Sequence, residues 1–178
     1  MENQINQNNN NCKLSNYQLK TTIKFHNDSV CILIFLKDSR LASSSTDKSI
    51  KIFNKITYEI EINILEHTNY VVHICQLKDE RLVSCSSDKT IKIFKLYKNN
   101  YNIEQIITGN LKPIKKIIEL RNNLLISCSW DKTLRIYNKQ NGLYILKQKI
   151  FKKYEIEPIN EFNDNEFFLF LLTQKFTK

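Results

Sequence analysis

The segments LASSSTDKSIKIF (residues 41–53), LVSCSSDKTIKIF (82–94) and LISCSWDKTLRIY (125–137) are three versions of one thirteen-residue object. No other feature constrains the fold as tightly. A chain that repeats one supersecondary unit at a near-constant period stacks units whose apolar faces no single unit can hide. The aspartates Asp47, Asp88 and Asp131 lie 41 and 43 residues apart, and 21 residues before each stands His26, His67 or Asn110.

Between these markers come an apolar stretch, a polar turn (KDS 37–39, KDE 78–80, RNN 121–123), a second apolar stretch and the Asp turn. In the second unit this pattern predicts strands near 71–77, 82–86, 90–95 and 102–108. The runs are short, rich in β-branched residues and bounded by polar turns, which favours antiparallel strands over helices. The stretches CILIFL (31–36) and NLLISC (123–128) are apolar at both parities, so each must be covered on both faces. Four strands every forty-odd residues, with each sheet sandwiched by its neighbours, describe an all-β array of propeller blades. Two glycines and two prolines in 178 residues leave the turns to Asn, Asp, Ser and Lys. Asn and Asp suit that task because they tolerate left-handed backbone.

On these residues the chain resembles the WD40-repeat family. SSSTDKSIKIF, SCSSDKTIKIF and SCSWDKTLRIY look like that family's strand b, Asp turn and strand c. His26 and His67 match the histidine of its Gly-His element, with Phe25 and Glu66 in the glycine's place; the third unit keeps Gly109 but has Asn110. The resemblance covers residues 17–150. It implies a buried network of histidine, strand-b serine, turn aspartate and strand-c aromatic: His26, Ser43, Asp47 and Phe53; His67, Ser84, Asp88 and Phe94; Asn110, Ser127, Asp131 and Tyr137. Independently of the family, a buried carboxylate is tolerated only when hydrogen-bonded. Phe53 and Phe94 lack the indole N–H of the family's tryptophan, so the first two networks lose a donor. Tyr137 offers a hydroxyl instead, and Asn110 an amide donor.

The resemblance also implies three partner-facing positions per unit. One precedes the turn aspartate: Thr46, Ser87 and Trp130. The others stand three and five residues past the histidine place: Ser29 and Cys31, Tyr70 and Val72, Pro113 and Lys115. Aromatic and cationic side chains concentrate binding energy, which puts Trp130, the single tryptophan, first, with Tyr70 and Lys115. The alternative use of Trp130 is to cover the edge of the next unit.

Residues 1–16, MENQINQNNNNCKLSN, read as a disordered Asn-rich tail. The repeat domain occupies 17–178, with units near 17–56, 57–98 and 99–140 and a partial fourth over 141–178. NEFNDNEFFLFLL (160–172) aligns with IELRNNLLISCS (118–129), but its aspartate is due near 173, where Thr173, Gln174 and Lys175 stand. The expectation is an incomplete ring from a truncated or split reading frame, its further blades supplied by a longer chain or another subunit.

His, Ser and Asp together invite a hydrolase reading. A set that recurs at the same spacing in two units serves structure, since a catalytic site has no reason to recur. No Gly-rich phosphate loop, HExxH or paired-cysteine motif is present. No enzyme, cofactor or metal is expected. What remains is a non-catalytic interaction scaffold or adaptor for a protein or peptide. The net charge of +9 keeps a nucleic-acid partner as the alternative, although the lysines are scattered through the repeats and the Lys-, Asn- and Ile-rich composition accounts for the excess. Five cysteines without a CxxC pair, and no apolar leader, indicate a reduced intracellular protein, cytoplasmic or nuclear. Cys85 and Cys128 stand where the first unit has Ser44 and read as small buried residues. Strongly apolar runs such as Phe167–Leu172 are too short to span a bilayer, so no membrane partner is expected.

Overall fold

The computed structural model describes residues 24–153, together with strand backbone at 160–163 and 166–168. The tail 1–16, with its Cys12, and residues 154–159, 164–165 and 169–178 of the fourth unit lie outside the described residues. The described chain forms three four-stranded antiparallel sheets, each a simple meander. The first holds β1 (Val30–Phe35), β2 (Leu41–Ser45), β3 (Ile50–Phe53) and β4 (Ile60–Ile64). The second holds β5 (Val71–Gln76), β6 (Leu82–Ser86), β7 (Ile91–Leu96) and β8 (Tyr101–Ile107). The third holds β9 (Ile114–Glu119), β10 (Leu125–Ser129), β11 (Thr133–Gln140) and β12 (Leu143–Phe151), and a hairpin of β13 (Asn160–Asn163) and β14 (Glu166–Phe168) follows. There is no helix among the described residues. The four strands expected in the second unit fall within one residue of those observed.

The sheets are offset from the sequence units. Strand β4 lies in the unit 57–98 yet pairs with β3, and β8 lies in the unit 99–140 yet pairs with β7. Each unit thus lends its first strand to the sheet before it, which ties neighbouring units covalently and by a ladder.

The tight turns share one form. At 36–40, Ser39 N donates to Leu36 O at 2.9 Å and Leu36 N to Arg40 O at 2.8 Å. This is a three-residue hairpin whose last residue must be left-handed. That place is taken by Ser39, Lys48, Glu80, Lys89, Asn123 and Lys132, with φ between 64° and 73°. The shortage of glycine leaves side chains in the position where glycine is cheapest.

The sheets stack face to face. Leu36, Ala42, Ile50, Ile52, Ile62 and Ile64 of the first pack on Val71, Ile74, Leu82 and Phe94 of the second. The other face of the second, with Leu77, Val83, Cys85, Ile91 and Ile93, packs on Ile114, Ile117, Leu125, Tyr137 and Tyr144 of the third. A further cluster, Leu120, Ile126, Cys128, Leu134 and Ile136, occupies the far face of the third sheet. Each such aliphatic side chain contributes about 1.5–3 kcal/mol when fully buried. Polar ties repeat beside this core: Lys37 N donates to Gln76 Oε1 at 2.7 Å, and one sheet on, Lys78 N to Glu119 Oε2 at 2.6 Å.

NLLISC is buried on both faces, as its apolarity requires: Leu125 points to the second sheet, and Ile126 and Cys128 away from it. CILIFL departs from that expectation. Ile32 and Ile34 pack toward the second sheet, while Val30, Leu33 and Phe35 are exposed on the opposite side. No described sheet precedes β1.

Candidate partner-binding face and the network beneath it

The Asp turns and the loops entering β1, β5 and β9 lie together at one end of the sheets, opposite the turns at 37–39, 78–80 and 121–123. In the second sheet, His67 Nδ1 donates to Asp88 Oδ2 at 2.7 Å. A carboxylate only accepts, so Nδ1 carries the proton and Nε2 accepts from the Ser84 hydroxyl, also at 2.7 Å. Thr68 N, Thr90 N and Thr90 Oγ1 supply three more donors to Asp88. The first sheet repeats the arrangement: His26 Nδ1 to Asp47 at 2.9 Å, Ser43 Oγ to His26 Nε2 at 2.6 Å, with Asn27 N, Ser49 N and Ser49 Oγ on the carboxylate. Burial alone would raise both carboxyl pKa values. The donors overcome it, Ser49 and His26 at Asp47, His67 and Thr90 at Asp88, and hold both carboxyls far below the usual range. Ser84 is fully buried beneath the second sheet's loops, whereas in the first sheet His26 and Ser43 line a groove beside β1.

Two members of the network are absent from the sequence reading. The hydroxyl two residues past each aspartate, Ser49, Thr90 or Thr133, bonds back to its carboxylate and restores a donor where no indole is available. Its signal was the DKS, DKT and DKT of the three copies. A strand-c cation also recurs: Lys51, Lys92 and Arg135 donate to the carbonyls of Phe25, Glu66 and Gly109. The residues in the glycine's place have taken up new partners. Phe25 stacks on Phe53 with centroids 4.9 Å apart, and Glu66 accepts from the Tyr101 hydroxyl at 2.8 Å, whose ring meets Phe94 edge-on.

The third sheet is built differently. The expectation that Asn110 keeps a donor role fails: both amide atoms are buried without a hydrogen bond, as are Ser127 Oγ and the Tyr137 hydroxyl. Asparagine is shorter than histidine and does not bridge from Ser127 to the turn. Ser127, Arg135 and Asn110 lie near enough to oppose the upward push of burial on the Tyr137 pKa, yet none meets the geometry of a bond to it. Arg135 takes the vacant role, reaching Asp131 Oδ2 at 3.4 Å while its guanidinium holds Gly109 O at 2.6 Å. Thr133 N, Thr133 Oγ1 and Leu111 N complete the Asp131 shell. Gly109 is retained here because its φ is +97°, a conformation side chains rarely adopt.

Above this network lie the partner-facing positions. Thr46 N donates to Ser29 O at 3.0 Å, Ser87 N to Tyr70 O at 2.9 Å and Trp130 N to Pro113 O at 3.0 Å. Each sheet therefore locks together the residue before its aspartate and the residue three past the histidine place. Trp130 is 49% exposed, and Lys115 Nζ sits 5.1 Å from its ring centroid, a cation–π contact. Tyr70 is 48% exposed on the neighbouring sheet. Thr46, Ser87, Val72, Pro113 and Lys115 are half-buried, while Ser29 and Cys31 are exposed. The left-handed lysines Lys48, Lys89 and Lys132 are exposed beside them.

Stacked four-stranded meanders, each pinned by an aspartate turn, are the blades of a β-propeller. The family "WD domain, G-beta repeat" matches residues 17–54, 60–95 and 115–138, more than half of the sequence, and the chain belongs to this WD40-repeat family. Among solved structures it is similar to the WD40 beta propeller domain of Doa1, with 25% identity and a TM-score of 0.73 over 82% of this chain and 49% of that one. The chain thus spans about half the length of that propeller. No curated protein sequence matches it significantly. Members of the family are generally non-catalytic interaction scaffolds.

Proposed function

We propose that this chain is a scaffold or adaptor that holds a protein or peptide partner on the end of the sheets carrying the Asp turns. Trp130, Tyr70 and Lys115 are the anchors, and Thr46, Ser87 and Val72 flank them. The carrying observation is the half-exposed indole of Trp130 beneath the Lys115 ammonium, fixed from below by its backbone bond to Pro113. A rigid aromatic on ordered backbone loses little entropy on contact, which is why such residues dominate binding energy. The proposed setting is intracellular, cytoplasmic or nuclear, where the free thiols of Cys31, Cys75, Cys85 and Cys128 stay reduced.

A photo-crosslinking residue at Ser87 should capture a discrete partner in cells, while one at Lys98, on the opposite end, should not. Trp130→Ala with Tyr70→Ala should abolish capture and leave the CD spectrum unchanged. Equal capture at both ends, or capture that survives the double substitution, refutes the reading. The exposed Lys48, Lys89 and Lys132 favour a second reading, a nucleic-acid partner. Its mark would be an affinity for RNA or DNA that falls steeply with salt and is indifferent to Trp130→Ala.

A further inference from the structure

The three Asp-turn ends are alike in backbone and unlike in charge. On the third sheet Leu111 N donates to Asp131 Oδ2 at 3.2 Å, Ser129 Oγ to Lys112 O at 3.1 Å and Trp130 N to Pro113 O at 3.0 Å. These bonds hold the loop 111–113 against the Asp turn. Lys152 N donates to Lys132 O at 3.0 Å, which keeps the residue after β12 beside the same turn. Four lysines, Lys112, Lys115, Lys132 and Lys152, thus stand around Leu111 and Trp130. The repeat places Asn69, Val72, Lys89 and Gly109 at these positions of the second sheet, and Asp28, Cys31, Lys48 and Glu66 at those of the first. Charge therefore falls along the stack, from four cations to one, and then to one cation against two carboxylates.

The apolar side chains follow the charge. Leu111 is 73% exposed and Trp130 49%, where the second sheet has Thr68 and Ser87 and the first has Asn27 and Thr46. Asp131 beneath them is paired with Arg135 and bonded by Thr133 and Leu111 N, so its charge is already balanced. A chain bearing carboxylates gains from the lysines, and a large apolar side chain gains from Leu111 and Trp130. Both together select an acidic segment that carries an apolar residue. A nucleic acid fits this surface less well, because its phosphates call for cations in a track and offer Leu111 nothing. Here the cations gather on one sheet and thin out within about 10 Å, the spacing of stacked sheets.

We infer that the partner held on this end presents an acidic peptide segment, seated on the third sheet with an apolar side chain over Leu111 and Trp130. The inference rests on the scaffold reading and names the chemistry of its partner.

The chain has a single tryptophan, so the emission of Trp130 reports this surface directly. The probe is a short synthetic peptide of aspartate and glutamate around one leucine, titrated onto the full chain. Its binding should move Trp130 emission to shorter wavelength. The same peptide with asparagine and glutamine in place of the acids should bind at least about tenfold more weakly. Lys112→Glu with Lys132→Glu should also weaken the acidic peptide by about tenfold or more. Lys55→Glu with Lys98→Glu makes the same charge change in the turns after β3 and β7, at the opposite end, and should leave affinity within about twofold. All four lysines are exposed, so the CD spectrum should persist in both variants. No binding of the acidic peptide, or an equal loss from the two variants, overturns the inference. So does a single-stranded DNA that binds more tightly than the peptide and is weakened as much by Lys48→Glu with Lys89→Glu, the mark of a cation track across the sheets. If a crosslinker at Ser87 captures a partner while the peptide fails, the partner's chemistry alone is wrong; if both fail, the scaffold reading falls with it.

Discussion

The same substitution at equivalent positions of two sheets should have opposite consequences. His67→Ala removes two hydrogen bonds, each at 2.7 Å, from a buried ring. A bond to a charged group contributes about 1.5–3 kcal/mol, and leaving the Ser84 hydroxyl unpaired costs about 1–3 kcal/mol more. With the cavity left by the ring, the loss is about 3–5 kcal/mol, a large fraction of the stability of an ordinary domain. For a chain of this size that lowers Tm by about 6–20 °C. Asn110→Ala breaks no hydrogen bond and deletes two buried polar atoms that have none. Its expected effect lies between zero and a gain of about 1 kcal/mol, or Tm unchanged within about 3 °C. Far-UV CD melts and urea unfolding followed by the single tryptophan, Trp130 in the third sheet, measure both variants. Equal losses at the two sites would show that Asn110 bonds as His67 does, and would refute the account of Arg135 as its replacement.

The carboxyls of Asp47 and Asp88 lie well below their unfolded values, so the unfolded chain binds more protons in acid and stability rises with pH there. The urea midpoint should hold above about pH 5 and fall as pH drops below about 4; a flat profile to about pH 2 would refute this, and Asp88→Asn should give a lower plateau and a shallower fall. Ser44 buries a hydroxyl without a partner where the other sheets have Cys85 and Cys128, so Ser44→Cys should raise stability by about 1 kcal/mol, read as a Tm increase, and a decrease would sink the argument. Replacing the left-handed residues Lys48, Lys89 and Lys132 by glycine relieves about 1–2 kcal/mol of strain each against about 0.5–1 kcal/mol of added chain entropy. The triple variant should therefore gain roughly 2 kcal/mol because the sites are far apart and additive, and a triple variant no more stable than wild type in urea would contradict it.

What the sequence made legible is what repeats at short range. The period and the strand ends follow from local patterns written in each copy, and a pattern written several times survives the ambiguity of any one; the His26–Ser43–Asp47 and His67–Ser84–Asp88 sets come from the family resemblance that those patterns carry. The substitutions were visible but their consequences were not. Phe25, Glu66 and Arg135 each stand at a recognisable place, yet the partner each takes is fixed by geometry. Phe25 finds a ring, Glu66 a phenol, and Arg135 a carboxylate and a carbonyl together. The ties from Lys37 to Gln76 and from Lys78 to Glu119 were invisible for another reason. Each joins residues about forty positions apart that belong to no shared motif, and only the stacking of the sheets brings them within reach.

Strands β1 and β10 make the limit concrete. CILIFL and NLLISC are equally apolar, and the same reasoning asks for both to be covered on two faces. β10 is covered because a sheet stands before it and its far face is also buried; β1 has Ile32 and Ile34 sheltered and Leu33 and Phe35 in the open. Apolarity is a property of the strand, whereas burial is a property of the stack. In an array where each unit hides only its neighbour's face, stability adds along the stack and the end units carry the deficit. The mismatch at β1 is therefore set by its place in the described stack: the apolar side chains of Val30, Leu33 and Phe35 stay in the open because no described sheet stands before them.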